Sequence, residues 1–468
     1  MLRKRGPLSV LAAIGLMAAV AGCTGTSANT SSSSSGSKKA ITVWSLEEQP
    51  DRLAKAQSDA NDFTKETGIK VKLVGVNEDQ FPQLITAAAA SGTLPDVVGA
   101  LPLSAVRTMS SNALVNSAAT ADVIKNLGAS TFSPSALALT KDGDKQVAVP
   151  SDGFPLSIIY RKDVFAKAGL SAPTTWAELL ADAKQINSPS MAGFVAGDSP
   201  STSYTQQVFE WLALANGCQL VGSSGKVTLD SKACVNAFSW YGQLTHDYSV
   251  PGAMDSTSTK TTYMAGKAAI TVWASFILDE MGGLVNDAMP TCAECKADPQ
   301  FIAKNSGFVT SFSGQDGGKP VGGGDVTSFV ISSTANPVSS EKFIEYFMST
   351  GYATWLSQAP EGKFPTRLGT ASSPQKYVDA WKQLQVGVDT KAKLTDIYST
   401  DVLANLQKGV GNFDRWGFKQ KQGNLLGAVL TELPIPKAVA DVATGTADGK
   451  GAAAAAQKAV ESIQSSVQ

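Results

Sequence analysis

From residue 40 onward the chain switches between β-branched apolar runs and stretches whose apolar residues recur at helical spacing, and this alternation limits the fold more than any other feature. "AITVWSLEEQ" is apolar, β-branched and closed by polar residues, which predicts a buried strand ending at Trp44. "DRLAKAQSDANDFTKETG" carries a helical pattern with Gly68 as its stop, and "IKVKLVGV" predicts a second strand. "FPQLITAAAASGTLPDVVGA" then predicts a helix, a turn at Gly92 and Pro95, and a short strand. Strand–helix alternation of this kind builds an α/β fold around a mainly parallel sheet. Ligands in such sheets sit beyond the carboxyl ends of the strands. That rule directs attention to the loop after Val43 and to Gly99–Ser104.

The amino terminus reads as a targeting segment. Arg3, Lys4 and Arg5 precede an uncharged run from Gly6 to Gly22, with small residues before Cys23. The run is too short and too rich in alanine and glycine for a spanning helix, which needs about 20 strongly apolar residues. Val20-Ala21-Gly22 before Cys23 resembles the bacterial lipobox, in which the cysteine receives a diacylglycerol thioether and cleavage falls just before it; the alternative is an ordinary secretory signal with a chance cysteine. Several acyl chains on one residue anchor a protein stably where one would not. Thr24 to Lys39 is Ser-rich with nothing apolar to bury, a flexible linker. Residues 1–22 are therefore expected as a lipoprotein signal peptide and 23–39 as lipidated cysteine plus linker, placing the protein on the outer face of the bacterial cell membrane, held by a lipid anchor only.

Removing residues 1–22 leaves 446 residues with 36 basic and 40 acidic side chains, a balance of −4. A weakly acidic chain of scattered lysines is a poor binder of nucleic acid. Its length exceeds what one hydrophobic core usually holds, so two lobes are expected, in a monomer. Four further cysteines in an exported chain suggest two disulfides, Cys218–Cys234 and Cys292–Cys295. "CAEC" is also compatible with a redox pair or half a zinc site. His246 is the only histidine and no second CxxC exists, so no metal or cofactor is expected.

"VAVPSDGFPLSIIYRKDVFAKAGLSAPTTWAELLADAKQI" is a strand, a Gly/Pro joint, a second strand and two helices, the latter starting at Trp176 with Thr175 and Glu178 spaced as a capping box. Within it Ile158-Ile159-Tyr160-Arg161, then Phe165 and Lys167, resembles the signature of family 1 extracellular solute-binding proteins, the maltose-binding-protein-like sugar-binding group. Arg161 replaces the usual Asn or Asp, and Ser151 an apolar residue. "YMAGKAAITVWASF", "GGGDVTSFVIS", "SSEKFIEYFMSTGYATWLSQ" and "KFPTR" follow in the family's order, so the resemblance spans about Ala40 to Gln468.

The resemblance implies a two-lobe, type II-like periplasmic-binding-protein fold, each lobe a mainly parallel sheet flanked by helices, with three hinge crossings near Ser151–Pro155, Asn305–Phe308 and Gly324–Thr327. The lobes are expected at 40–152 plus 306–326, and at 153–305 plus 327–468. It implies a non-enzymatic receptor that delivers a carbohydrate, an oligosaccharide by expectation, to an ABC permease.

A sugar needs a flat aromatic surface and bidentate polar groups. Trp44 ends the first strand, with Glu47 and Glu48 after it, although the two glutamates equally suit a solvated turn. Phe276 falls where relatives carry a stacking Trp, and Trp273 lies three residues earlier; core packing is the alternative for Phe276. Asp152 and Asp325 lie at the expected crossings beside Gly322, Gly323 and Gly324, as ligand contacts or as hinge structure. Arg367 sits in the Pro-Thr-Arg motif, as a ligand contact or a structural ion pair. Tyr204, Gln207 and Trp211 share one helical face, open to a ligand or buried. Trp416 completes the set.

Three other functions compete. A receptor for a glycerophosphodiester would use Arg367 as its cationic anchor. An exported hydrolase would pair Glu47 or Glu48 with a second carboxylate, whereas a triad has only His246 as base. A structural lipoprotein would bind nothing.

Overall fold

In a computed structural model the described residues are 38–315, 319–410 and 412–467; the expected signal peptide, Cys23 and the linker as far as Ser37 lie outside them. The first half runs β1 (Ala40–Ser45), α1 (Pro50–Thr67), β2 (Lys70–Gly75), α2 (Phe81–Ser91), β3 (Val97–Pro102) and α3 (Leu103–Ser111). A long strand, β4 (Val149–Arg161), follows, then α4 (Trp176–Ile186), β5 (Ala192–Val195), α5 (Ser203–Ala215), α6 (Lys232–Asp247) and β6 (Ala268–Ala274). The chain continues with β7 (Ser306–Val309), β8 (Gly323–Ile331), α7 (Pro337–Phe347), α8 (Tyr352–Leu356) and β9 (Phe364–Pro365). It ends with α9 (Thr400–Val410), α10 (Gly423–Glu432), α11 (Pro434–Ala443) and α12 (Gly449–Val467).

Nine strands form one mixed sheet in the order β2-β1-β3-β8-β4-β6-β5, with β7 and β9 also paired to β4. β1 is parallel to β2 and β3, as the alternation predicts, and β5 is parallel to β6. β8 runs antiparallel between β3 and β4, and β4 antiparallel to β6. The sheet is continuous because β4 is long: its first half, Val149–Leu156, pairs with β8 and its second half, Leu156–Tyr160, with β6.

Two hydrophobic cores flank that crossing. One gathers Ile41, Val43, Phe63, Val98, Leu101, Phe329, Phe343, Phe347 and Trp355. The other gathers Ile158, Trp176, Phe194, Phe209, Phe238, Tyr241, Leu426 and Val439. The allotment differs from the expected boundaries. Phe329 to Phe413 pack with the first core, not the second, while Val309 and Phe312 pack with the second. The reason is strand pairing: beyond Thr327, β8 runs on beside β3, with Val330 opposite Val98 and Ile331 opposite Val97. Phe329 and the helix after it are thereby delivered to Phe63, whose ring meets Phe343 edge-on at 5.5 Å.

Local signals in the sequence hold. Gly68 closes α1 in the left-handed region, and Thr175 and Glu178 form a reciprocal capping box on α4. Arg161 forks onto Asp163 at 2.8 Å through both Nε and Nη2, which accounts for an arginine at that turn. The alanine-rich terminus is α12, burying Ala452, Ala453, Ala456, Val460 and Ile463. Among the described residues no helix is long and apolar enough to cross a membrane. Gly324 has φ +151°, and a Cβ there would lie 2.2 Å from the Phe154 carbonyl oxygen and 2.4 Å from the Phe413 ring, so only glycine fits.

Both expected disulfides are present, Cys218–Cys234 and Cys292–Cys295. The first joins the end of α5 to α6 across a separation of 16 residues. Replacing Cys218 and Cys234 together by alanine is expected to lower the unfolding free energy by about 3 kcal/mol on the chain-entropy account, read by urea titration. The short Cys292–Cys295 loop constrains the unfolded chain less, so its removal should cost less.

Candidate functional site

The carboxyl end of β1 leads straight into a buried charge network. Glu47, 9% exposed, accepts from Arg52 Nη1 at 2.9 Å and pairs with Lys363 Nζ at 2.6 Å. Burial alone would raise the Glu47 carboxyl, but Lys363 and Arg52 outweigh it and bring it down to about 2. Lys363 is 1% exposed, lies 4.5 Å above the Trp355 ring, and also pairs with Asp152 at 3.5 Å. Asp152 accepts from Trp355 Nε1 (2.7 Å), Ser151 Oγ (2.7 Å) and Thr327 Oγ1 (2.6 Å). Its oxygens are thus taken by the crossing of β4 and β8. Glu48 is exposed and accepts from Asn77 Nδ2, while Trp44 packs half-buried against the first core.

At the carboxyl end of β6, Phe276 is half-buried, meets Phe154 at 5.3 Å and covers Gly362, where a Cβ would lie 1.8 Å from its ring. Trp273 tilts against Tyr204 at 5.0 Å, and its Nε1 has no hydrogen-bond partner among the described residues. Beside this end lie two buried acids. Burial, then the neighbouring Asp279 charge, pushes the Glu361 carboxyl well above the usual range; burial and Glu280 raise Asp279 likewise.

Between the two cores lies a cavity of about 480 Å³. The end of β3 and start of α3 supply Pro102 and Ser104, the start of α5 supplies Ser201, Thr202, Ser203 and Gln207, and the end of α10 supplies Leu430 and Thr431. Among the described residues, Glu78 and Asp325 are its two acids and no lysine, arginine or aromatic residue lines it. Asp325 is held by Arg415 Nη1 at 2.8 Å, and Arg415 Nε in turn by Glu210 of α5 at 2.8 Å. A larger cavity, about 860 Å³, lies against α9, with Trp381, Leu403 and Val410 of the first core on one side and Thr310, Ser311 and Pro320, beside Phe312 of the second core, on another.

The structure therefore brings Gln207 and Asp325 of the expected set to the cavity and leaves others elsewhere. Arg367 is sealed in the first core. It donates to the carbonyls of Leu127 (2.8 Å) and Met348 (2.5 Å) and to Thr131 Oγ1 (3.2 Å), tying three loops together. Trp416 is fully buried and donates to the Cys218 carbonyl. Trp211 donates to the Val321 carbonyl and lies flat against Gly323, which leaves neither free for a ligand. The Tyr204 hydroxyl donates to the Val272 carbonyl. Sequence reasoning missed Lys363, Glu361 and Arg415, and also Ser201–Ser203. The two charges of "EGK" directly before "FPTR" and the serine–threonine run before α5 were the available signals.

A family model described as bacterial extracellular solute-binding protein matches residues 60–386. The Escherichia coli protein YcjN, named by inference as an ABC transporter periplasmic-binding protein, is 30% identical over 311 residues, spanning 65% of this chain and 67% of that one. Among solved structures, the GacH receptor of Streptomyces glaucescens, studied unliganded and with acarbose, aligns at TM-score 0.66 and 20% identity over 91% of this chain and 98% of that one. Maltose-bound MalE3 of T. maritima aligns at TM-score 0.67 and 18% identity over 91% and 99%. At these identities the structural likeness speaks for the two-lobe solute-binding fold.

Two outcomes follow from the sealed charges. Arg367→Ala removes the donor of the buried Met348 carbonyl and leaves the Leu127 carbonyl with Thr131 Oγ1 alone, and is expected to cost about 2–3 kcal/mol in a urea titration while leaving solute affinity unchanged. Glu361 holds its proton in the folded chain at a pH where the unfolded chain has released it, so stability falls as pH rises above the ordinary carboxylate range. In melting curves from about pH 4 to about pH 8, Glu361→Gln should flatten that decline and melt higher than the parent at the alkaline end.

Proposed function

The chain belongs to the bacterial extracellular solute-binding proteins, and on that premise we propose that it is a lipid-anchored receptor that takes a carbohydrate, an oligosaccharide, into the cavity between its cores and hands it to an ABC importer. The family binds its solutes outside the cytoplasm and does not transform them. The observation that carries the choice of solute is the cavity lining. Hydroxyls of Ser104, Ser201, Thr202, Ser203 and Thr431, the Gln207 amide and two acids face the space, with no cation among them. Such a surface exchanges hydrogen bonds with a neutral polyhydroxylated ligand and repels a phosphodiester, and Arg367 is committed to carbonyls.

Ligand held from both cores stabilises the closed form by its differential affinity. β4 and β8, the strands common to both sides, are the crossings on which we propose the lobes turn, with β7 beside them. Trp273, with its indole N–H unpartnered, and Phe276 are the stacking surfaces proposed for the closed complex. Cys23 ties the mature chain, a monomer, beside its permease, and the linker after it supplies reach.

A thermal-shift screen of the purified mature chain against mono- and oligosaccharides and glycerophosphodiesters tests this. A sugar present at a hundred times its dissociation constant should add about 2.7 kcal/mol of stability. Gln207→Ala should weaken that sugar about tenfold in calorimetry, the worth of one hydrogen bond in a desolvated site. Stabilisation by phosphodiesters alone would overturn the carbohydrate assignment.

A further inference from the structure

We infer that the larger cavity, the one against α9, is a second ligand site: it takes a small organic anion with an apolar body, and its occupant sets how far the two cores turn. The cavity alone supports the site; its control of the turning rests on the crossing strands proposed above as the hinge.

Charge decides the class of ligand. Among the described residues the cavity is lined by two cations, Lys382 and Lys408, and by no acid. Lys382 meets Asp379, three positions before it and outside the lining, at 3.4 Å. Lys408 is exposed and in no ion pair among the described residues. In a mature chain of net negative charge this is a local reversal that repels cations and favours an anion.

The rest of the lining suits such a ligand. The side-chain amides of Gln375 and Asn412 and the hydroxyls of Thr395 and Thr400 make no hydrogen bond among the described residues, so their N–H and O–H groups stand free for anionic oxygens. Pro134, Pro320, Leu368 and Ala404 present exposed or half-buried apolar surface, and the largely buried Val378, Trp381 and Leu403 also line the space. An alkyl or aryl body gains by covering that surface. Small-molecule sites span about 300–1,000 Å³, and this cavity of about 860 Å³ falls among them.

Helix α9 makes the site part of the crossing. Asn405 Nδ2 donates to the Phe308 carbonyl of β7 at 2.8 Å, and Asn405 Oδ1 accepts from Thr310 Oγ1 at 3.1 Å. Gln407 Nε2 donates to the Pro365 carbonyl of β9 at 3.2 Å. β7 pairs with β4 at Ile158–Arg161 and β9 with β4 at Asp152 and Gly153, so α9 straddles the crossing. The cavity does the same, with Trp381 and Leu403 on the first-core side and Thr310, Ser311 and Pro320 beside Phe312 of the second. A body held between these walls binds one spacing of them better than another, and that difference shifts the opening equilibrium.

The test titrates the mature chain with the anionic fluorophore 1-anilinonaphthalene-8-sulfonate. One saturable site per chain is expected, emptied by octanoate and not by octylammonium. Ala404→Trp fills the cavity from the exposed face of α9 and should abolish the signal. Lys382→Glu combined with Lys408→Glu reverses the charge of the lining and should weaken the dye about tenfold, which keeps the site testable if Ala404→Trp fails to fold. Saturating octanoate should shift the radius of gyration of the parent in small-angle scattering and leave that of the variants unchanged. Dye that finds no saturable site, that octylammonium displaces as well as octanoate does, or that binds both variants like the parent, refutes the site. A radius of gyration unmoved at saturation refutes its control of the crossing and leaves the site standing. Neither result touches the carbohydrate reading, which the sugar screen decides on its own.

Discussion

Lys363 is the buried ammonium on which the crossing between the cores depends. A charge this deep is tolerated only when paired and surrounded by donors and acceptors. Here Lys363 reaches Glu47 from the loop after β1 and Asp152 from β4, while its ammonium rests over Trp355 of α8. Asp152 is in turn bonded by Trp355 and by Thr327 of β8. One network thus joins the end of the first strand, both crossing strands and the segment before β9, and all of it is on the first-core side.

The second core has its counterpart in Arg415, fully buried between Glu210 of α5 and Asp325 of β8. One residue, Val326, separates Asp325 from Thr327 along β8, and Phe154, opposite Asp325 on β4, is two positions from Asp152. Each crossing strand is therefore pinned to one core at one point and to the other core a few residues away. Parting either buried pair would strand a charge at a cost of about 3–5 kcal/mol. The stretch between these pins is short: Gly153 follows Asp152 on β4, and Gly323 and Gly324 come just before Asp325 on β8.

What could be read in the sequence was whatever depends on neighbours in the chain. The strand–helix alternation, the Thr175 capping box, the two close-spaced cysteine pairs and the alanine-rich last helix are all set within about twenty residues. The return to the second lobe expected at 327 took no account of β8's pairing with β3, more than 200 residues earlier, which carries Phe329 and Ile331 into the first core and which no local signal states. Arg367 shows the same limit in a site. Its motif fixes the position, but its function follows from carbonyls at Leu127 and Met348, which only the folded chain delivers. Trp211 and Trp416 were ambiguous for a different reason, since an aromatic that fills a core and one that lines a cleft look alike in sequence. Gln207 and Asp325 reach the cavity from helix-face and strand positions, although the helix face that carries Gln207 also carries Tyr204 and Trp211, which donate to carbonyls instead.

The division between spent and unspent polar groups is what turns this fold into a receptor. The charged groups at the crossing (Glu47, Arg52, Lys363, Asp152, Arg415) already answer other side chains, so their charge holds the crossing and contributes little to capture. The uncommitted groups are neutral, and they stand on opposite sides: Ser104 beside the first core, Ser203 and Gln207 beside the second. Neither set can satisfy the other across a cavity of this width without something between them. A ligand that bonds to both sets therefore gains more in the closed arrangement than in the open one, and that difference, rather than the total contact, is the free energy available to shift the equilibrium.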